Sequence, residues 1–236
     1  MRFESHGRLV RSVADRLTMS PGLAPARSVL PNGLVLLAKR TRATPSVTIN
    51  VAIRAGSVCD PVDATGAIHL LSKVIDRGTT TRSADNIAEA LDSRGISLSV
   101  TVSRHLLSLI CTCLADDFVD VIALLADIIQ RPILPPAEVA TRKGEVITSL
   151  RQDEDNPVVR STETLMELLY PAPHPYGRRS KGTIAIVEEL NRHELAALHA
   201  ARFAPCETSV VVVGDVDPER IAKVRAELPA LTHRVL

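Results

Sequence analysis

A chain of 236 residues that is 45% apolar carries enough hydrophobic material for one large core. Its 28 Lys and Arg are balanced by 27 Asp and Glu, so no global field steers it toward nucleic acid or an anionic membrane. Aromatic residues amount to 2%, with no Trp, which removes the stacking platforms that single-stranded nucleic acid needs and leaves the core to Ala, Val, Leu and Ile.

Residues 1–26 form an N-terminal extension in which Arg2, Arg8, Arg11 and Arg16 alternate with Leu9, Val10, Val13 and Leu17 at helical spacing. No stretch within it is long enough for a signal-peptide core, and Glu4 and Asp15 oppose a transit-peptide or membrane-surface reading. A frayed or partner-docked segment is expected there. No later run reaches the roughly eighteen apolar residues that would span a bilayer, so an integral membrane segment is not expected and a cytoplasmic location is. The four cysteines, Cys59, Cys111, Cys113 and Cys206, lack the spacing of a disulfide framework; Cys111 and Cys113 share a strand face and are expected to pack in the core.

From residue 27 the chain reads as one domain. Pro31-Asn32-Gly33 between two apolar runs signals a hairpin, and 46–55 alternates as a third strand. A helix is expected over 66–77, and another after the cap residue Ser83, closed by Gly95 in a left-handed cap. The alternating Ile96, Ser97, Leu98, Ser99, Val100, Thr101 and Val102 pair with 106–113. Helices follow over 118–130, from Pro136 to before Asn156-Pro157, and on to about 170. Thr183 and Asn191 open two more, 209–213 is a buried strand, and Asp217-Pro218 starts a final helix. Strands in pairs and helices in runs predict an α+β fold, a mostly antiparallel sheet of five to six strands with helices packed on it.

The run Gly66-Ala67-Ile68-His69-Leu70-Leu71-Ser72-Lys73, followed by Arg77-Gly78-Thr79, resembles the inverted-zincin helix H-x-x-E-H. Leu30-Pro31-Asn32-Gly33-Leu34, Ala55-Gly56-Ser57, Arg131-Pro132, Asp155-Asn156-Pro157, His174-Pro175-Tyr176-Gly177, Lys181-Gly182-Thr183 and Val213-Gly214-Asp215 resemble further landmarks of one family, in order, over residues 27 to 220. The chain is similar to one half, of the N-terminal, metal-bearing type, of the pitrilysin, insulysin and mitochondrial processing peptidase family. The resemblance implies the metallopeptidase-half fold.

In that motif two His at i and i+4 share a helix face and bind zinc, the intervening Glu deprotonates the metal-bound water, and a later helix supplies a third, Glu ligand. Carried over residue by residue, the resemblance keeps His69 and loses the rest. The base falls at Ser72, the second His at Lys73, the third ligand at Ser149 and a further acidic position at Arg142. A Lys where a dication should sit is repelled by it, and one imidazole cannot hold zinc. No catalytic residue and no metal ligand is therefore expected, and no cofactor, although intact members carry zinc.

Plainer readings stand beside these. His69 on an apolar helix reads as a partly buried, hydrogen-bonded histidine; Lys73 as solvated or paired with Asp76; Glu145 as an ion-pair member; Asp153-Glu154-Asp155 as a solvated helix end. Ser72 and His69 lack an orienting carboxylate and make no triad.

By resemblance, family halves close into a chamber and hold substrate as an added strand. The expected function is a non-catalytic insulinase-like domain that forms a homodimer or joins a second family subunit, with an extended peptide on the edge strand Ile96 to Val102. An active zinc endopeptidase with a rearranged site and a structural subunit of a larger complex are the alternatives.

Overall fold

The computed structural model describes residues 25–217 and residue 221. Residues 1–24, and with them most of the extension read above, lie outside that range, as does most of the helix expected after Asp217. Six strands form one sheet: β1 (Ala26–Val29), β2 (Val35–Arg40), β3 (Ser46–Ile53), β4 (Ser97–Val102), β5 (Leu107–Leu114) and β6 (Thr208–Gly214), in the order β1-β2-β6-β3-β5-β4. Among the described residues the helices are α1 (Ala67–Val74), α2 (Ala84–Asp92), α3 (Phe118–Gln130), α4 (Pro136–Glu154), α5 (Pro157–Leu169), α6 (Ile184–Glu189) and α7 (Arg192–Arg202).

The sheet is mixed. β6 lies between β2 and β3, parallel to the first and antiparallel to the second, while the other neighbours pair antiparallel. β2 and β3 run in opposite directions, so any strand inserted between them must be parallel to one of the two. The expectation of a mostly antiparallel sheet holds for every pairing except this one, which arises because the last strand returns from the helical segment into the middle of the sheet.

Local signals place most boundaries. Gly33 turns the first hairpin at φ +88°, with Asn32 Oδ1 accepting from the Leu34 amide at 3.2 Å. The Ser83 side chain accepts from the Asn86 amide at 3.2 Å and opens α2; Asn191 and Glu194 form a capping box on α7. α1 is shorter than the 66–77 span, because after Ile75 the chain turns through Gly78 at φ +134° into a bridge with Ser83.

The core lies between one sheet face and the helices. Val47, Ile49, Val51 and Ile53 of β3 alternate inward, as do Leu107, Leu109, Cys111 and Cys113 of β5, against Ile68, Leu71 and Val74 of α1 and Phe118 of α3. Both strand cysteines are buried as expected, and burial pushes their thiols up to about 11 and about 12. No helix among the described residues is long and apolar enough to cross a membrane.

Candidate functional site

α1 presents Ile68, Leu70, Leu71 and Val74 to the core and turns His69 and Lys73 away from it. Its N-terminus is held by Asp60, whose carboxylate accepts from the Gly66 amide and the Ile68 amide, each at 2.9 Å. Asp60 is 4% exposed; burial pushes its carboxyl up to about 6 despite those two bonds and the nearby Arg178 guanidinium.

Two glycines bring a second segment against this helix end. Gly66 (φ +95°) and Gly182 (φ +83°) meet so closely that a Cβ on the first would lie 2.4 Å from the Lys181 carbonyl oxygen, and one on the second 2.2 Å from that of Thr65. This contact sets Lys181 beside α1 and α4. Its ammonium donates to the Ser149 hydroxyl at 3.0 Å and to Asp153 Oδ2 at 2.6 Å.

His69 is half-buried. Desolvation chiefly, then the charges of Lys73 and Lys181, bring its imidazole down to about 4, with Asp153 pulling the other way. It is neutral at pH 7. Ser72 is 4% exposed, and its hydroxyl donates back to the His69 carbonyl at 2.7 Å, so the serine faces its own helix and not an imidazole. Lys73 is exposed, while Asp76 contacts Arg77 at 3.3 Å; the reading of Lys73 as solvated fits, and the pairing with Asp76 does not form. Arg142 lies lower on α4, where it bonds Glu145 at 2.6 Å and approaches Glu138 at 3.5 Å. Glu145 is thereby an ion-pair member on its own helix.

Zinc needs a set of neutral or anionic donors converging on one point. Here the one imidazole is flanked by two ammonium groups, both serine hydroxyls are engaged, and Asp153 is neutralised by Lys181. Among the described residues no three His, Cys, Asp or Glu side chains are grouped to hold a metal. The donor set does not fit the ion.

Asp153 is not the solvated helix end that its acidic run suggests: its side chain is 20% exposed and closed by Lys181. Lys181 lies 32 residues beyond Ser149, and no helical or strand periodicity links them; only the turn Lys181-Gly182-Thr183 marked the place. Next to this cluster a cavity of about 340 Å³ opens between α5, the 177–181 segment and the β4–β5 turn, lined in part by Arg104, Arg178, Arg179, Lys181, Asp153 and Glu163.

β4 is an edge strand. Ser97, Ser99 and Thr101 are exposed, whereas Leu98, Val100 and Val102 pack against the core and Ile96 is buried. The Ser103 amide donates to the Leu106 carbonyl at 2.8 Å, and the register is continuous from there. In an antiparallel ladder bonded pairs alternate, so Ser97, Ser99 and Thr101 turn their amides to β5, and Leu98, Val100 and Val102 turn theirs to the open side.

Residues 35–174 match the family described as insulinase (peptidase family M16). An uncharacterized zinc protease of Mycobacterium tuberculosis is 28% identical over 207 residues, which are 88% of this chain and 46% of that protein. The mitochondrial-processing peptidase subunit beta of Saccharomyces cerevisiae is 22% identical over 222 residues, 94% of this chain and 47% of that one. The chain spans about half the length of the curated relatives it matches. Among solved structures, a peptidase M16 inactive domain from Pseudomonas fluorescens superposes with TM-score 0.83 at 21% identity, covering 89% of this chain and 51% of that one. Pitrilysin superposes with TM-score 0.80 at 19% identity, over 89% of this chain and 23% of pitrilysin. With a family match over more than half of its length, the chain belongs to the insulinase family, peptidase family M16.

Proposed function

We propose that this domain is a non-catalytic insulinase-family half that pairs with a second family chain or a second copy of itself and holds an extended peptide along β4. The observation that carries the proposal is the Lys181 ammonium, bonded to Ser149 and Asp153 beside a neutral His69. A cation and a hydroxyl stand where the family resemblance puts the third zinc ligand, and Lys73 stands where it puts the second imidazole. No charge-neutral rearrangement of these residues supplies three zinc donors, which weighs against the rearranged-peptidase alternative. The Pseudomonas fluorescens neighbour, itself described as an inactive domain, adds support by likeness.

Pairing is supported by α5. It buries none of its residues completely and leaves Val158 71%, Leu165 53%, Leu168 76% and Leu169 60% exposed. That is an apolar stripe that monomers rarely leave open, and the relatives carry as much chain again. Peptide holding is supported by the three free amides on the outer edge of β4.

The test is fluorescence anisotropy of an unstructured labelled peptide with the purified chain, followed by mass spectrometry of the same mixture. Saturable binding without cleavage is the expected result. Zinc-dependent cleavage would establish the peptidase alternative, and absence of any peptide binding would favour the structural-subunit alternative.

A further inference from the structure

The motif positions leave one charged feature unused. Four cations and two carboxylates face the cavity of about 340 Å³. Lys181 is spent on Asp153 at 2.6 Å and Arg179 on Glu163 at 3.2 Å. The other two guanidiniums make only backbone and ring contacts. Arg104 donates to the Arg178 carbonyl at 3.3 Å and lies 5.5 Å from the centroid of the Tyr176 ring. Arg178 donates to the Asp60 carbonyl at 2.8 Å, while its Nε is buried and has no acceptor. The Asp60 carboxylate is near enough to feel Arg178 but is committed to the amides of Gly66 and Ile68.

A guanidinium fork is matched by a carboxylate, and among the described residues neither Arg104 nor Arg178 is ion-paired with one. Val159 and Met166 give the cavity apolar lining, and Asp153 and Glu163 in the same lining disfavour a multiply charged anion. A single carboxylate on a short apolar stem satisfies all three conditions. Position supplies the carrier: Arg104 follows Val102, the last residue of β4, by two residues, so a strand paired with β4 reaches the cavity mouth within one or two residues at about 3.3 Å each.

We propose that this cavity is a carboxylate subsite, in which Arg104 and Arg178 take the acidic group of an extended peptide laid along β4. The proposal rests on the β4 reading and names the class of peptide it selects. A C-terminal carboxylate arriving at Arg104 implies a peptide parallel to β4; an acidic side chain near the peptide's N-terminus implies an antiparallel one.

The experiment compares three fluorescein-labelled octapeptides of Val, Thr and Ser on the full chain by anisotropy: one with a free C-terminus, one amidated with a Glu at its second residue, and one amidated and neutral. At least one acidic peptide is expected to bind about tenfold tighter than the neutral one, the size of a good charge-assisted pair. The preference should vanish in Arg104→Gln while neutral binding persists. Arg178→Gln should act alike, with its melting curve read in parallel because Arg178 also supports the Asp60 loop. The better acidic peptide identifies the source of the carboxylate and the strand direction. Equal binding of all three peptides overturns the subsite and leaves β4 standing; no binding by any of them overturns both.

Discussion

The Lys181 ammonium lies 3.0 Å from the Ser149 hydroxyl, joining two residues 32 positions apart across the gap between α4 and the segment that precedes α6. Because the same ammonium closes on Asp153 at 2.6 Å, the one carboxylate beside His69 is already neutralised. The local field at His69 is therefore cationic, where the family chemistry requires a site that attracts a cation.

His69 reports that field directly. Its imidazole is expected to titrate at about 4 in the native chain, and replacing Lys181 with Met should raise that value. Ring-proton NMR across pH 3.5 to 8 checks this; titration near the ordinary 6.5 would show that the histidine is neither desolvated nor flanked by cations.

The same depression has a consequence for stability. As pH falls from about 6.5 to about 4, the unfolded chain protonates at residue 69 while the native chain does not, so folding loses free energy across that window and levels off below it. His199, buried against the Ile129 carbonyl and also lowered, acts in the same direction. Asp60, raised to about 6, acts in the opposite one, because its native form binds the proton more tightly. The comparison is therefore between variants: denaturant midpoints of the native chain should fall relative to those of His69→Gln between pH 6.5 and 4. Parallel curves would contradict the shift.

Backbone geometry predicts two unequal glycine substitutions. Gly182→Ala places a methyl 2.2 Å from the Thr65 carbonyl oxygen at φ +83° and should cost several kcal/mol or prevent folding. Gly95→Ala, at φ +62° with nothing within 4 Å, should cost about 1 kcal/mol. Urea melts separate the two, and equal losses would mean that the Gly66–Gly182 contact does not position Lys181.

Much of this architecture could be read from residue types with short-range meaning. Ser83, Asn191 and Thr183 announced their helices because a side-chain acceptor for free amides is a local need. The alternation in Ile96 to Val102 announced its two faces. The position of β6 was not readable, since a Val-rich strand fits equally well at several places in a sheet and only the direction of its neighbours fixes the parallel pairing. In the site, His69, Ser72 and Lys73 are linked by helical spacing, whereas Lys181 meets Asp153, and Arg178 meets the Asp60 carbonyl, through packing of the 178–181 segment that no periodicity encodes.

Register on β4 makes two neighbouring proline substitutions unequal. Ser99 turns its amide to β5, so Ser99→Pro should remove a ladder bond and lower the melting temperature. Val100→Pro should spare the ladder and weaken peptide binding. Thermal melts and anisotropy on both variants distinguish the edge role from an ordinary strand; unchanged binding by Val100→Pro would exclude the edge as the binding surface.

The exposed stripe on α5 makes a separable prediction. Leu165→Glu with Leu168→Glu should leave the melting temperature within a degree or two, because both side chains are more than half exposed, and should dissociate a dimer or release a partner. Multi-angle light scattering reads the result. A monomer before and after substitution would remove the self-pairing form of the proposal.

The most direct test of a non-catalytic half is metal stoichiometry in the purified native chain. Elemental analysis after equilibration with zinc and exhaustive desalting should find far less than one zinc per chain, and Ser72→Glu, Lys73→His and Ser149→Glu together should raise that content, more so when Lys181 is also replaced with Met. One tightly held zinc per native chain, abolished by His69→Ala, would contradict the proposal outright.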